Sequence, residues 1–409
     1  MLIAVFLLSL PDICARIHAL IIDMKRSFTI GFDAKHANRG NTTRSSYARF
    51  IIGALAEACP KSAYFRMYIE SVEPHKEFEA LAMRHNVEAM EPDGTLWRRL
   101  SGLWRLWHVG EDMVHGDVEL YHALAGVVPF GLERRNIRSV ATIHSLEFLR
   151  LRRFFSPILN LYRRAIMLSS MRRADRIVAV SECVKHDLVR YLRIDAEKID
   201  VIYGGCHRRF TEPVTMEQVE EVRERYNLPE RYLLVSGTHS PRKNIGHIIE
   251  ALPDIDPDIS LVVVGRGTKH TEALLRRVKA LGLEHRVVML YGVAEEDMPA
   301  IYYAALAYLM MSLYEGFSTT VVEAISVGVP VIAAKGSSLE EAGGEGSIYL
   351  EPNDREALIM AVERIAEDTA LRQSMIDRGR DHAKLFRPEV IAYSILKTYR
   401  RIGVDIPME

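Results

Sequence analysis

Residues 307–334 read AYLMMSLYEGFSTTVVEAISVGVPVIAA and decide the fold. The apolar run Ala307–Met311 predicts a buried strand, and a helical pattern extends from about Thr320 to about Val327. A second apolar run, Val329–Ala333, follows directly. A strand, a helix and a strand in this order predict a βαβ unit with parallel strands.

The same alternation of short β-rich runs and helical patterns extends through the whole chain. It predicts an α/β protein with two doubly wound parallel sheets, whose facing edges place a binding site in the cleft between them. The further strands that we expect are Phe28–Phe32, Ala63–Ile69, Val118–His122, Ser139–Ile143, Arg176–Val180, Ile199–Tyr203, Tyr232–Ser236, Ser260–Val264 and Val287–Tyr291.

The boundary between the two domains is expected at Gly204–Glu217, where glycines, a basic pair and a proline interrupt the pattern. This division gives domains at residues 24–206 and 207–387, followed by residues 388–409. Charge supports it, because residues 24–206 carry a net charge of +7 and residues 207–409 a net charge of −7.

The composition is that of an ordinary globular protein, with 48% hydrophobic and 26% charged residues. The net charge of −1 argues against a protein that binds nucleic acid along its whole length. The four cysteines lie far apart without a CxxC pair, so we expect neither a zinc site nor disulfides.

The first 23 residues do not fit this pattern. Their apolar run, residues 2–10, is too short to span a membrane, which takes about 20 residues, and no basic residue precedes it. We interpret Met24 as the start and residues 1–23 as a non-native or disordered extension. A divergent signal segment and a loose surface helix remain alternatives.

The loop that precedes the predicted helix at Thr320 is the first candidate site. The free amides of a helix's first turn bind anions or hydroxyls, and Gly316 allows the backbone to approach a ligand closely. Glu315 and Glu323 are candidate ligand contacts. Alternatively, Glu323 completes a capping box with Thr320, and Glu315 is a solvated loop carboxylate.

Three other strand ends carry candidate residues. Arg242 and Lys243 follow the strand Tyr232–Ser236 and could hold a diphosphate. Gly265 begins half of a dinucleotide fingerprint, which suits a single nucleotide held against a strand end. His144 follows the strand Ser139–Ile143 at the edge that faces the cleft, although a lone histidine is often structural.

The segment Leu96–His108 contains all three tryptophans, Trp97, Trp104 and Trp107, with arginines between them. Aromatic residues beside a basic face are typical of an interfacial membrane helix, and a core helix with solvated arginines is the alternative. Eleven arginines between Arg134 and Arg176 extend the basic character. We therefore expect contact with an anionic membrane surface.

Together these residues resemble the fourth family of retaining glycosyltransferases, which has the GT-B fold of two Rossmann-like domains. Its hallmark is a pair of glutamates eight positions apart, as Glu315 and Glu323 are. The likeness covers about residues 24–405 and is closest to the bacterial cell-surface polysaccharide, mannosyltransferase-like branch. The stretches that carry it are GFDAK at 31–35, YHALAGVVP at 121–129, ATIHSL at 141–146, IVAVSE at 177–182, SPRKN at 240–244 and EAGG at 341–344.

The resemblance implies transfer of a sugar from a nucleotide-sugar donor to a glycan or lipid-linked acceptor, with retention of configuration. It implies catalytic roles for Glu315, Lys243 and His144, and that the final helix, from Pro388, packs against the first domain. The implied donor-binding residues are Arg242, Gly265, Gly316, Phe317, Ser318, Thr319 and Glu323, and the implied acceptor-side loop residues are Thr43, Arg44 and Tyr47.

The sequence departs from the family in two of these loops. Thr43 and Ser45 stand where the family's Gly-rich turn has glycines, and Ser318-Thr319-Thr320 replaces a Gly-hydrophobic-Pro stretch. The resemblance further implies that no cofactor and no metal are needed. The isolated cysteines fit a reducing compartment, so we expect a cytoplasmic protein, and the basic-aromatic segment would make it peripheral on the inner face of the cell membrane. The alternatives are a catalytically silent assembly partner and a sugar-nucleotide epimerase of the same fold.

Overall fold

The computed structural model describes residues 27–38, 42–70 and 76–408, so the interpretation of residues 1–23 lies outside the described residues. The first sheet has the order β3-β2-β1-β4-β5-β6-β7, and every pair in it is parallel. Its strands are β1 Phe28–Asp33, β2 Ala63–Tyr68, β3 Val87–Met90, β4 Leu120–Ala123, β5 Arg138–Ile143, β6 Arg176–Ala179 and β7 Ile199–Val201.

The second sheet has the order β10-β9-β8-β11-β12-β13 and is also parallel throughout. Most strands of both sheets are buried along their length, which explains their continuous apolar runs. The strands of the second sheet are β8 Tyr232–Ser236, β9 Ser260–Val264, β10 Val287–Leu290, β11 Ala307–Met310, β12 Val331–Ala334 and β13 Ile348–Leu350.

Helices connect the strands of the first sheet and lie against it. A π-helical turn at Trp104–His108 follows a short helical turn at Ser101–Leu103. The other helices are α1 Thr43–Ala58, α2 Lys76–Ala82, α3 Gly94–Arg99, α4 Val109–His115, α5 Glu147–Arg150, α6 Pro157–Arg173 and α7 Glu182–Leu192.

The second sheet is covered in the same way, and the chain ends in a helix that leaves it. A 3₁₀ turn at Pro241–Lys243 follows β8. The helices are α8 Met216–Tyr226, α9 Ile245–Ala251, α10 Thr271–Ala280, α11 Met298–Tyr303, α12 Thr319–Val327, α13 Leu339–Gly343, α14 Arg355–Glu367, α15 Thr369–Ala383 and α16 Pro388–Arg400.

The fold class predicted from the sequence is confirmed, and all eleven expected strands are present with small shifts at their ends. The sequence analysis did not predict two strands, β3 and β13. Each is three or four residues long, lies at an outer edge of its sheet and is partly exposed. Such strands lack the continuous apolar run that identifies a buried strand.

The last helix, α16, packs against α1 of the first half and fastens the end of the chain there. Tyr399 on α16 lies 2.7 Å from Nδ1 of His122 on β4, and Nε2 of the same ring lies 2.8 Å from the Thr142 hydroxyl on β5. Burial lowers the pKa of His122 to about 3, so the ring is neutral. A buried, neutral hydrogen-bond chain therefore joins residue 399 to the first sheet.

We expect Tyr399→Phe to lower the free energy of unfolding by about 1–3 kcal/mol, because a nitrogen of buried His122 loses its partner. Urea denaturation measures the change. Tyr393→Phe is the matched control, because Tyr393 lies on the same helix and is 55% exposed. Equal midpoints for the two variants would contradict the prediction.

Candidate active site

The two halves meet where the carboxyl end of β5 faces the loop after β11. A Cβ atom on Gly316 would lie 1.8 Å from the backbone oxygen of His144, so only glycine fits this contact. The hydroxyl of Ser181, which follows β6, donates to the carbonyl of Gly316 at 2.6 Å. The backbone after Glu315 is therefore in direct contact with the strand ends of the first half.

Glu315 is buried at this junction between two cations. Its Oε1 lies 2.9 Å from Nζ of Lys243 and 2.5 Å from Nη1 of Arg242. Burial alone would favour the neutral acid, but the two cations hold the pKa of Glu315 down at about 2. Glu315 is thus a carboxylate at neutral pH, and the solvated-loop alternative is wrong.

The two cations come from the 3₁₀ turn Pro241–Lys243 at the end of β8, as the sequence predicted from their place at the same sheet edge. Arg242 also donates to the carbonyl of Tyr314 at 2.7 Å and lies 3.1 Å from Glu147 of the first half. Nζ of Lys243 lies 2.9 Å from Glu315 and also donates to the sulfur of Met310 at 3.5 Å. An ammonium group has three donors, so Lys243 retains one for an anionic ligand.

Helix α12 starts at Thr319, and its N-cap is Ser318, whose hydroxyl accepts from the amide of Val321. The capping-box alternative for Thr320 and Glu323 is wrong, because the cap lies two residues earlier than that box requires. The hydroxyl of Thr320 instead hydrogen-bonds to the hydroxyl of a buried tyrosine on β11 at 2.8 Å. The first-turn amides of α12 lie directly after the loop that carries Glu315.

Glu323 does not cap the helix, and it accepts a hydrogen bond from the hydroxyl of Tyr302 at 3.1 Å. Burial raises the pKa of Glu323 to about 7, and neither Tyr302 nor the more distant Arg209 and Lys243 offset this. Glu323 consequently changes charge near neutral pH, whereas Glu315 does not.

His144 is a neutral side chain. Its Nε2 lies 2.8 Å from the carbonyl oxygen of Leu124, and its ring packs edge-on against Tyr47 with the ring centres 4.6 Å apart. Burial lowers the pKa of His144 to about 4. Because a carbonyl only accepts, Nε2 carries the hydrogen and Nδ1 is an acceptor.

A cavity of about 150 Å³ brings most of the predicted site residues together. Glu147 and Ser145 also line it, and the sequence analysis did not single them out. The predicted residues that line it are Thr43, Arg44, Tyr47, His144, Arg242, Glu315, Gly316, Phe317 and Thr319.

The other four predicted residues, Lys243, Gly265, Ser318 and Glu323, do not line this cavity. Lys243 and Ser318 adjoin it through Glu315 and Thr319. Gly265 lies elsewhere, with its Cβ position 1.8 Å from the carbonyl oxygen of Gly237, so close packing of two strand-end loops requires glycine there.

A second cavity, of about 490 Å³, shares Tyr47 and Thr319 with the first and is lined by Glu323. It contains an ion-pair network that the sequence analysis missed. Arg209 pairs with Glu295 at 3.1 Å and with Glu77, and Arg49 lies 2.8 Å from Glu77. These residues come from both halves and from the linker, so no local pattern could have signalled them.

Two carboxyl groups of this network, those of Glu295 and Glu77, have very different pKa values. Burial and the neighbouring Glu77 raise the pKa of Glu295 to about 7. Burial opposes ionisation of Glu77, but hydrogen bonding with Glu295 and the two arginines lower its pKa to about 2. The pair therefore holds one proton near neutral pH.

The tryptophan segment is not one continuous interfacial helix. Trp104 is fully buried and donates to Asp112 at 2.7 Å, so the prediction that it contacts a membrane is wrong. Trp97 stacks on His108, and Trp107 is 59% exposed. Within residues 27–38, 42–70 and 76–408, no helix combines the length and apolar character needed to cross a bilayer.

Among the described residues, no group of three or more histidine, cysteine or acidic side chains is arranged to hold a metal ion. The sequence Asp-Ile-Asp at 254–256 has the form of a metal-binding DxD motif, but both aspartates form ion pairs, because Asp254 pairs with Arg355 and Asp256 lies 3.1 Å from Arg231.

Curated relatives of the chain include two enzymes of O-antigen chains. The O-antigen chain mannosyltransferase B of Escherichia coli is 26% identical over 286 residues, which cover 69% of this chain and 74% of that protein. The O-antigen chain mannosyltransferase RfbU of Salmonella typhimurium is 27% identical over 257 residues, which cover 60% of this chain and 68% of that protein.

Solved structures share the two-sheet architecture. Anabaena Alr3699/HepE, in complex with UDP and glucose, is similar with a TM-score of 0.73 and 20% identity, over 92% of this chain and 100% of that chain. Sucrose-phosphate synthase from Thermosynechococcus elongatus has a TM-score of 0.73 and 22% identity, over 92% of this chain and 99% of that chain.

Two family models match consecutive parts of the sequence. "Glycosyltransferase Family 4" matches residues 72–209, and "Glycosyl transferases group 1" matches residues 218–382. The first match lies in the half that contains His144, and the second contains Lys243, Glu315 and Glu323. The chain therefore belongs to the family-four glycosyltransferases and has their GT-B fold.

Proposed function

We propose that the protein transfers mannose from a nucleotide sugar to a growing cell-surface glycan or lipid-linked acceptor, with retention of configuration and without a metal. The observation that carries the proposal is the buried carboxylate of Glu315, which holds Lys243 and Arg242 beside the N-terminus of α12. The identity of the sugar rests on the two O-antigen chain mannosyltransferases among the relatives. The comparisons return transferases and do not favour the epimerase or the silent alternative.

Sugar transfer leaves a nucleoside diphosphate, on which negative charge develops as the glycosidic bond breaks. The remaining donor of Lys243 and the first-turn amides of α12 are fixed in place before the reaction. Preorganised donors of this kind stabilise developing charge without reorganisation. In our proposal these protein groups supply the stabilisation that a metal ion gives in other enzymes.

Retention of the sugar's configuration follows from which group can take the proton of the acceptor hydroxyl. Glu147 and Glu315, the two carboxylates among the described residues that line the smaller cavity, both pair with Arg242. His144 is a weak base, because burial lowers its pKa to about 4. We therefore assign the acceptor's proton to the departing diphosphate. That step places the leaving group and the acceptor on the same face of the sugar, so the configuration is kept.

We expect Lys243→Ala and Glu315→Gln each to lower the turnover number by about 10²–10³-fold, because each removes a fixed charge at the leaving group. The assay is transfer from whichever nucleotide sugar raises the melting temperature of the wild-type protein. Lys279→Ala and Glu284→Gln are matched controls at exposed positions.

The same assay is run with and without EDTA, and we expect equal rates. Full activity of Lys243→Ala would refute the diphosphate site, and a rate that disappears with EDTA and returns with a divalent cation would refute metal independence. If no nucleotide sugar binds the wild-type protein, the transferase proposal fails.

A pH dependence is expected from Glu323, which the family resemblance assigns to the nucleotide ribose. Only the ionised carboxyl group can accept hydrogen bonds from ribose hydroxyls with both of its oxygens, and its pKa is raised to about 7. Affinity for the bound nucleotide sugar should therefore increase about tenfold from pH 6 to pH 8. Calorimetric titration measures it, and Glu323→Gln should bind more weakly with a flat profile.

The pH dependence of folding stability should have the opposite sign to the pH dependence of ligand affinity. The folded chain holds the proton of Glu323 at pH values where the unfolded chain, with a pKa of 4.5, has lost it. The contribution of this group to stability is therefore present at low pH and is lost as pH increases from about 4.5 to 7. A pH profile of affinity that is the same in wild type and Glu323→Gln would contradict the assignment.

We also propose that the protein adsorbs to anionic membranes, through the exposed start of α6 rather than through Trp104. Ile158, Leu161 and Tyr162 are 83%, 70% and 62% exposed, and Arg163 and Arg164 lie beside them. Apolar side chains that project between basic ones suit the surface of an anionic bilayer.

Flotation with vesicles of phosphatidylglycerol and phosphatidylcholine tests this proposal. We expect salt-sensitive binding to the anionic vesicles only, because each basic residue near the surface contributes about 1 kcal/mol. The double variant Ile158→Ser/Leu161→Ser should bind more weakly. Met360→Ser, an exposed methionine of the second half, should not. Equal binding to both vesicle types, or none to either, would overturn the proposal.

A further inference from the structure

A second group of charged side chains lies at the cleft edge of the first sheet, outside the cavities described above. Asp33 ends β1, and Lys35 follows it. Glu70 follows β2, and Arg105 comes from the π-helical turn Trp104–His108. Both strands present their carboxyl ends here, where open α/β sheets bind ligands. π-Helical turns are rare and often occur at functional sites.

The four charges are close together but only partly hydrogen-bonded. Lys35 lies 2.7 Å from Glu70. Nη1 of Arg105 lies 3.6 Å from Glu70 and 3.8 Å from Asp33, which is too far for hydrogen bonds. The side chains of Asp33, Arg105 and Glu70 are 0%, 12% and 12% exposed, whereas that of Lys35 is 26% exposed.

Several polar atoms of this group are buried without a hydrogen-bond partner among the described residues. They are Nε and Nη1 of Arg105, Oδ2 of Asp33 and the hydroxyl of Tyr121 on β4. Burying such atoms unpaired is unfavourable, and native proteins rarely do so without a functional reason. A guanidinium edge, a carboxylate oxygen and a phenol together provide both donors and acceptors.

The group connects to the reaction cavity through His36. Asp33, Arg44, Lys35 and Arg105 all lie close enough to His36 to influence its pKa, which burial lowers. His36 and Arg44 in turn influence the pKa of His144, and both Arg44 and His144 line the smaller cavity. His36 is therefore within electrostatic range of both Arg105 and the smaller cavity.

Charge balance indicates the class of ligand. Two cations, Lys35 and Arg105, face two carboxylates, Asp33 and Glu70, so the group as a whole does not favour an anion. A neutral ring with neighbouring hydroxyls fits better, because each hydroxyl can accept from the guanidinium and donate to a carboxylate.

We propose that Lys35, Glu70 and Arg105, with Asp33 and Tyr121 beneath them, bind a hydroxyl-bearing sugar ring of the acceptor glycan. This inference rests on the proposed transferase function and adds to it the place where the acceptor is recognised. Arg105 and Lys35 are the residues whose contacts set acceptor specificity, and the diphosphate site at Lys243 is independent of them.

Saturation-transfer NMR with methyl α-D-mannoside as the probe and the full chain tests the subsite without any transfer reaction. We expect a signal with the wild-type protein, and at least tenfold weaker affinity in Arg105→Lys and in Lys35→Ala. The first variant keeps the charge but loses the planar fork. Arg99→Lys and Lys61→Ala, at exposed positions, are the matched controls.

The melting-temperature shift given by the nucleotide sugar is measured in parallel and should be the same in all variants, which also shows that each is folded. Absence of a mannoside signal in the wild type, its persistence in both variants, or its displacement by millimolar inorganic phosphate would overturn the subsite. A mannoside signal that is lost in the variants, without any nucleotide-sugar shift in the wild type, would support the subsite and refute the transferase proposal.

Discussion

The carboxylate of Glu315, buried between Lys243 and Arg242, is the interaction on which the arrangement of the cleft depends. Burial disfavours an isolated charge, and the two cations reverse that preference. The same contact fixes the turn after β8 against the loop after β11. Those two strand ends also hold the N-terminus of α12 beside the cations. The positions of the charges at this site are therefore fixed before any ligand binds.

Arg242 connects this charged site to the first half of the chain. Its contact with Glu147 is one of several between the strand-end loops of the two sheets. The hydroxyl of Tyr314 donates to Asp187 on α7 at 2.9 Å, and the carboxylate of Glu341 accepts from the amides of Glu182 and Cys183 at 2.6 and 2.9 Å. Residues that flank the charged site on the second half thus also join the two halves.

The sequence predicted which residues meet at the ends of neighbouring strands. It did not predict the side-chain contacts that depend on how the elements pack. Parallel strands end at a common edge, so the meeting of Lys243 with Glu315 could be inferred from their positions alone. The cap of α12 at Ser318 was missed because Thr320 offered an equally good local pattern. The burial of Trp104 was missed because a π-helical turn breaks the helical spacing on which its outward position was inferred. The Glu77–Arg209–Glu295 network joins residues far apart in the chain, and no periodicity reports such contacts.

The contact made by Glu341 has a consequence for motion. Its carboxyl group accepts from the first two amides of α7, a helix of the opposite half whose N-cap is Ser181, and a negative charge there is attracted to the positive end of the helix dipole. Any rotation that widens the cleft along this side must uncover the amides of Glu182 and Cys183. Separation of the halves therefore exposes these two amides, and their hydrogen exchange with solvent should become faster as the cleft opens more often.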